Sequence, residues 1–140
     1  NVGALIRIGA AFGAAAIVLG PGSADPFSRR VLRVSMGNGL FLPIVQASDL
    51  TAQLMELQQA HAMQLCLTLL DPTAQPLHQH PFAPRTVLVF GNEYDGISSV
   101  VQQLPGPRLT IPMLNGTDSL NVAVSAGIFL HQYRSLIPAG

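Results

Sequence analysis

The run Thr86-Val87-Leu88-Val89-Phe90-Gly91-Asn92-Glu93-Tyr94-Asp95-Gly96-Ile97-Ser98 carries the clearest structural signal in the chain. Residues 86–90 show no polar alternation, the pattern of a strand buried on both faces. Two glycines then bracket an acidic loop over residues 91–96, and residues 97–103 read as a short helix. Strand, loop and helix in that order form the building step of an α/β sheet, and in open sheets of this class ligands bind beyond the carboxyl ends of the strands. Taken alone, the same run also reads as an ordinary strand–turn–helix with an Asp-Gly turn.

Outward from this segment the alternation continues. Apolar runs at residues 15–19, 41–46, 63–70 and 108–111 read as further strands, and Gly20-Pro21-Gly22 as a turn. Helical spacing predicts helices over residues 1–12, 28–35, 49–61 and 119–134, with Asn1, Ser48-Asp49 and Ser119 at their starts. Residues 71–85, rich in Pro, His and Gln, and residues 112–118 read as loops. The fold class is therefore α/β, a mainly parallel sheet with helices on both faces, in one domain spanning residues 1–140. The first and last helices are apolar on nearly all sides. In the last, Leu120, Ala123, Val124, Gly127 and His131 share one side, and Val122, Phe129 and Tyr133 the other. The sheet covers one side; a second copy of the chain is the natural cover for the spare face, assigned to Val122, Phe129 and Tyr133.

Hydrophobic residues make up 49% of the chain and charged ones only 10%, against a usual charged share of about 25%. No apolar run reaches the roughly 18–20 residues of a spanning helix, so no membrane partner is expected. The single cysteine, Cys66, rules out an intrachain disulfide and fits a reducing, cytoplasmic setting. The first residues lack the basic region of a signal peptide, and the chain reads as a piece of a longer protein without its N-terminal region. The net charge is zero, which by composition argues against a nucleic-acid partner. Arg29, Arg30 and Arg33 read equally as solvated helix charges or as a small basic patch giving weak RNA binding. His78-Gln79-His80 has no third ligand near it in sequence and reads as a solvated loop, so no metal is expected.

Periodicity leaves three segments unexplained: Asn1-Val2-Gly3-Ala4-Leu5-Ile6-Arg7, the loop at residues 90–98, and Ile111-Pro112-Met113 with Ser119-Leu120-Asn121-Val122-Ala123. Each has a plain reading of its own. Arg7 suits an interface ion pair, and Ser119 an N-cap. In this order, however, they resemble the three motifs of the SpoU (TrmH) family of RNA ribose 2′-O-methyltransferases, in the knotted SPOUT group. Asn1, Gly3 and Arg7 match N-x-G-x-x-x-R, and Gly91, Asn92, Glu93 and Gly96 match G-N-E-x-x-G; residues 111–113 and 119–123 match I-P-M and S-L-N-V-A. Arg33, Ser35 and Gly37 resemble the family's R-x-S-x-G stretch, while Ile8-Gly9 departs from the Thr-Ala common after the first motif.

The resemblance implies a SPOUT-type α/β fold with a deep C-terminal trefoil knot from about Phe90 onward, S-adenosylmethionine as cofactor, and a homodimer packed through the first and last helices. It implies methyl transfer to a ribose 2′-hydroxyl in tRNA or rRNA. The implied cofactor-binding residues are Phe90, Gly91, Gly96, Ile111, Met113, Ser119, Leu120 and Asn121. The implied catalytic set is Asn1, Arg7, Glu93, Ser119 and Asn121. Arg7 would hold a phosphate beside the hydroxyl and stabilise alkoxide charge; a guanidinium is too basic to act as a simple base. Two competing readings are a SPOUT enzyme that methylates a base nitrogen, and a non-catalytic RNA-binding or assembly domain. The first motif favours the ribose enzyme, and intact Arg7, Glu93 and Asn121 count against the non-catalytic domain.

Overall fold

The structure, a computed structural model, describes residues 1–117 and 119–139. Asp118, the end of the loop expected over residues 112–118, lies outside the described residues. The chain divides into two compact units, Asn1–Gln53 and Leu54–Pro138.

In the first unit, α1 (Val2–Ala11) buries Gly3, Ile6 and Gly9, a stripe at i, i+3 and i+6. Small residues on that stripe allow close packing: a Cβ at Gly3 would meet Val34 Cβ at 2.8 Å in α2 (Arg29–Val34). Ser28 caps α2, its hydroxyl accepting from the Val31 amide. A one-turn 3₁₀ helix at Asn38–Leu40 follows, which periodicity does not reveal. β1 (Ile17–Leu19) and β2 (Ile44–Gln46) pair in parallel, and Ile6, Val31 and Leu42 form the core beneath them. Helix α3 (Leu50–Ala60) begins at Asp49, whose carboxylate accepts from the Ala52 amide.

The second unit holds a four-stranded, all-parallel sheet in the order β4-β6-β3-β5. Its strands are β3 (Gln64–Thr68), β4 (Gln75–Pro76), β5 (Thr86–Val89) and β6 (Arg108–Thr110). Central β3 is buried at Leu65, Cys66 and Leu67, the unbroken apolar run expected of a strand covered on both faces. Parallel pairing and α/β order agree with the sequence reading. The strands fall into separate two- and four-stranded sheets, one in each unit. Helices α4 (Ser99–Gln102) and α5 (Val122–Leu136) complete the second unit.

Two expectations are corrected here. Residues 71–85 are not all loop. Gln75–Pro76 adds an edge strand, where Pro76 removes no needed donor, and Leu77–Gln79 forms a 3₁₀ turn. That pairing carries Leu77 and His80 inward, so His80 is buried while His78 stays exposed. His80 Nδ1 lies 3.3 Å from Gln75 Oε1, its Nε2 lies 3.8 Å from Cys66 Sγ, and its ring stands edge-on to Phe82. Burial lowers its pKa and favours the neutral ring.

The second correction concerns α5. Phe129 is only 2% exposed and sits in the core with Cys66, Leu77, Phe82 and Leu109, while the Tyr133 hydroxyl donates to Pro84 O. The face assigned as spare is therefore the one that packs on the sheet. The outward face carries Val124, Ile128 and His131. Two apolar faces of similar strength cannot be ranked by periodicity; the larger aromatic volume goes to the sheet. The helix also starts later than expected, capped by Asn121 rather than Ser119. Among the described residues no helix is long and apolar enough to cross a membrane.

Burial in β3 pushes the Cys66 thiol from 9.0 up to about 12. The folded state thus holds its proton more tightly than the unfolded state does. This contribution to stability is complete below about pH 9 and is lost as pH rises from there toward 12. Chemical denaturation across pH 8 to 11 should show stability falling by up to about 1.4 kcal/mol per pH unit above pH 9. The pH-dependent difference should vanish in Cys66→Ala; an equal alkaline slope in both proteins would contradict the assignment.

Candidate active site

β5 ends at Val89, and the next residues turn sharply. A Cβ on Gly91 would lie 2.2 Å from the Gly96 carbonyl carbon and 2.4 Å from the Ile97 nitrogen, so only glycine fits between these backbones. Asn92 closes the loop. Its side-chain oxygen accepts from the Tyr94 and Asp95 amides at 2.9 and 2.6 Å, its carbonyl accepts from the Gly96 amide, and Gly96 has φ +67°. Asn92 therefore has a local role, holding the loop in an Asx turn. Ile97 anchors the exit in the core, and Ser98 caps α4 through the Val101 amide.

Two other segments meet this loop. β6 leads into Ile111, Pro112 and Met113, and the chain then reverses through Asn115 and Gly116, both at positive φ. Asn121 Oδ1 accepts from the Ala123 amide at 2.8 Å and opens α5. Phe90 ties the glycine loop to that helix, its ring edge-on to Phe129 at 5.7 Å. Between the segments lies a cavity of about 660 Å³, at the carboxyl ends of β3, β5 and β6. All eight residues expected to bind the cofactor line it: Phe90, Gly91, Gly96, Ile111, Met113, Ser119, Leu120 and Asn121.

Of the expected catalytic residues, Glu93, Ser119 and Asn121 also line this cavity. Asn1 and Arg7 belong to the first unit. Asn1 is the N-terminal cap position of α1, and Arg7 lies on the exposed side of that helix. The sequence reading missed the end of β3, where Thr68 and Asp71 reach the cavity, as well as Gln102 and Ser125. Thr68 donates to Val89 O at 2.9 Å, tying β3 to β5 beside the glycine loop. A carboxylate just beyond a parallel strand was the available signal for Asp71. Its pKa is lowered by hydrogen bonds from the Thr73 amide and hydroxyl. Among the described residues, Asp71, Glu93 and Asp95 line the cavity and no arginine does, so its charge suits a ligand of net positive charge. Among the described residues no group of three or more His, Cys, Asp or Glu is placed to hold a metal ion.

A parallel-sheet unit with a glycine-bracketed cavity at its strand ends defines the class. The chain belongs to the SpoU rRNA methylase family, whose profile matches residues 1–131. It is 34% identical over 139 residues to an uncharacterized tRNA/rRNA methyltransferase of Mycobacterium tuberculosis, covering 94% of this chain and 46% of the relative. It is 33% identical over 134 residues to the 23S rRNA (guanosine(2553)-2′-O)-methyltransferase RlmP of Bacillus subtilis, covering 96% and 53%. The crystal structure of an AdoMet-bound rRNA methyltransferase from Sinorhizobium meliloti superposes with a TM-score of 0.85 at 29% identity, covering 99% of this chain and 52% of that one. The chain thus spans about half the length of these relatives.

Gly91→Ala should destabilise the protein by roughly 1–3 kcal/mol, because the new methyl meets fixed backbone. Thermal melting checks this. Gly116→Ala is a useful control, since its Cβ position is open and only the positive φ opposes it.

Proposed function

We propose that this chain transfers a methyl group from S-adenosylmethionine to a ribose 2′-hydroxyl of tRNA or rRNA. The observation that carries the reading is the convergence of the second and third family motifs on one cavity at the strand ends. The residues present fit the cofactor. The volume falls in the range of about 300–1,000 Å³ usual for small-molecule sites. Phe90, Ile111, Met113 and Leu120 offer apolar contact for an adenine ring, and Gly91 and Gly96 offer backbone without side chains. The three carboxylates favour a cationic ligand. When bound, S-adenosylmethionine supplies an electrophilic methyl group on a sulfonium.

The chain's own residues do the rest. Arg7 would hold a phosphate of the RNA and stabilise the negative charge left on the ribose oxygen as the hydroxyl proton passes to solvent water. Asn1 and Asn121 orient polar groups by hydrogen bonding. Glu93 and Ser119 place acceptors at the cavity. The names of the Bacillus relative, a 2′-O-methyltransferase, and of the AdoMet-bound Sinorhizobium structure favour the ribose reaction over base-nitrogen methylation and over a non-catalytic domain. A cytoplasmic location fits an RNA-modifying enzyme with one buried free thiol.

The reading includes the C-terminal trefoil knot. The knot follows from the family resemblance, and the pairing of β6 between β3 and β4 is compatible with it. It also includes a homodimer, with Val124 and Ile128 of α5 in the contact. These are 52% and 39% exposed on a helix whose other face is already in the core.

Calorimetry should detect binding of S-adenosylmethionine or S-adenosylhomocysteine without added metal. No heat and no thermal stabilisation at millimolar ligand would refute the cofactor. Arg7→Ala should lower methyl transfer by about 100-fold or more with cofactor affinity nearly unchanged. The product should resist alkaline cleavage at the modified nucleotide, as a blocked 2′-hydroxyl requires. In sedimentation, the parent should run above the chain mass of 14.8 kDa, and Val124→Asp with Ile128→Asp should run at it.

A further inference from the structure

The zero net charge conceals an uneven distribution. Asn1–Gln53 contains four arginines, Arg7, Arg29, Arg30 and Arg33, against two aspartates, Asp25 and Asp49, a balance of +2. The remaining three arginines and five acids give −2, and the two balances cancel. The arginines also differ in use. Arg85 donates to His61 O, Arg108 to Gly106 O, Leu104 O and Gln102 O, and Arg134 to Ile137 O. These three clamp backbone carbonyls. Arg29, Arg30 and Arg33 are exposed, and their guanidiniums have no hydrogen-bond or ion-pair partner among the described residues. Both carboxylates of the first unit are engaged elsewhere, Asp25 with the Phe27 amide and Asp49 with the Ala52 amide.

The placement of these charges opposes helix stability. Arg29 and Arg30 occupy the first two positions of α2, at the positive end of its dipole, and its first turn contains no acid. Arg33 follows one turn after Arg29, so like charges face each other at i, i+4. A cationic stripe without internal compensation fits an external anion.

Two exposed aromatic rings stand close in sequence to α2. Phe41 is 83% exposed and Phe27 49%. The segments that carry them meet, because a Cβ at Gly39 would lie 3.4 Å from Leu32 Cδ2 and 3.6 Å from Pro26 O. The turn between α2 and the 3₁₀ helix is held rigidly: buried Ser35 donates to Leu32 O, and Asn38 Nδ2 donates to Ser35 O. Met36, at the tip, adopts φ +57°, a conformation strained for a non-glycine residue.

We propose that the α2 face is a platform for single-stranded RNA, with Arg29, Arg30 and Arg33 binding successive phosphates and Phe41 and Phe27 stacking on bases. The pairing of free guanidiniums with exposed rings on a rigid turn is the chemistry of single-strand binding. The choice of RNA over DNA rests on the methyl-transfer reading above; the surface itself does not. Three phosphate contacts give modest affinity, so the platform orients the strand and does not by itself select a sequence.

The test is a salt titration by fluorescence anisotropy, using a short labelled single-stranded oligoribonucleotide of mixed sequence and its duplex. Arg29→Ala/Arg30→Ala/Arg33→Ala should reduce the salt slope by about 2, from roughly 0.7 per contact, while the corresponding lysine triple variant keeps it. Phe41→Ala should weaken single-strand binding about fivefold or more with the slope unchanged, and leave duplex binding alone. No variant should melt below the parent, since these side chains are exposed and the arginines oppose the dipole of α2. An unchanged slope in the alanine triple variant, or no RNA binding by the parent at low salt, overturns the proposal. So does a Phe41→Ala protein that changes sedimenting mass but not RNA affinity, which would assign this face to a second copy of the chain. A parent that binds the RNA but not S-adenosylmethionine overturns the cofactor reading and leaves the platform standing.

Discussion

The packing of Phe129 against Phe90, Leu109 and Cys66 is the contact on which the second unit depends. It joins α5 to β3, β6 and the exit of β5 in one dry cluster, with Leu77 and Phe82 closing it. Burying an aromatic ring at this point sets the rotation of α5 about its axis. Once that phase is set, Asn121 and Leu120 stand at the strand ends, and Val124 and Ile128 face outward. The cavity is therefore a consequence of core packing as much as of its own residues.

The glycine loop shows a different relation between sequence and site. Its geometry is local: Asn92 folds the loop on itself, and Gly91 passes between backbone atoms that admit no side chain. Such a loop presents backbone groups in a fixed arrangement whether or not a ligand is bound. This preorganisation lowers the ordering cost of binding, since few rotamers remain to be frozen. The same rigidity recurs in the first unit, where Ser35 and Asn38 fix the turn that carries Met36.

Charge is distributed by role. In the second unit the arginines brace carbonyls at turns and at the end of α5, while Asp71, Glu93 and Asp95 line the cavity. In the first unit the arginines remain on the surface. A protein with few charged side chains can thus have zero net charge and still present an acidic cavity and a basic face. Summed over the chain, these cancel, which is why composition argued against an RNA partner.

Apart from β4 and the two 3₁₀ turns, the order of strands and helices, their parallel pairing and the motif residues at the strand ends were legible in the sequence. Buried parallel strands need unbroken apolar runs, and a backbone-lined site needs glycines at fixed places. The reading failed where several arrangements satisfied the same local pattern. Residues 75–80 look polar and Pro-rich, yet pairing with β6 draws Leu77 and His80 inside. The last helix has two apolar faces, and only the shape of the sheet cluster selects the one bearing Phe129. Ser119 and Asn121 both suit an N-cap, and the path of the chain out of β6 leaves the role to Asn121. Thr68, Gln102 and Ser125 joined the cavity by tertiary approach alone, since nothing in their spacing relates them to the glycine loop, and Asp71 carried only the general signal of a carboxylate beyond a strand. Local sequence determined which elements form, because their hydrogen bonds and periodicity are local; which faces and loops meet was decided only by the packing of the whole.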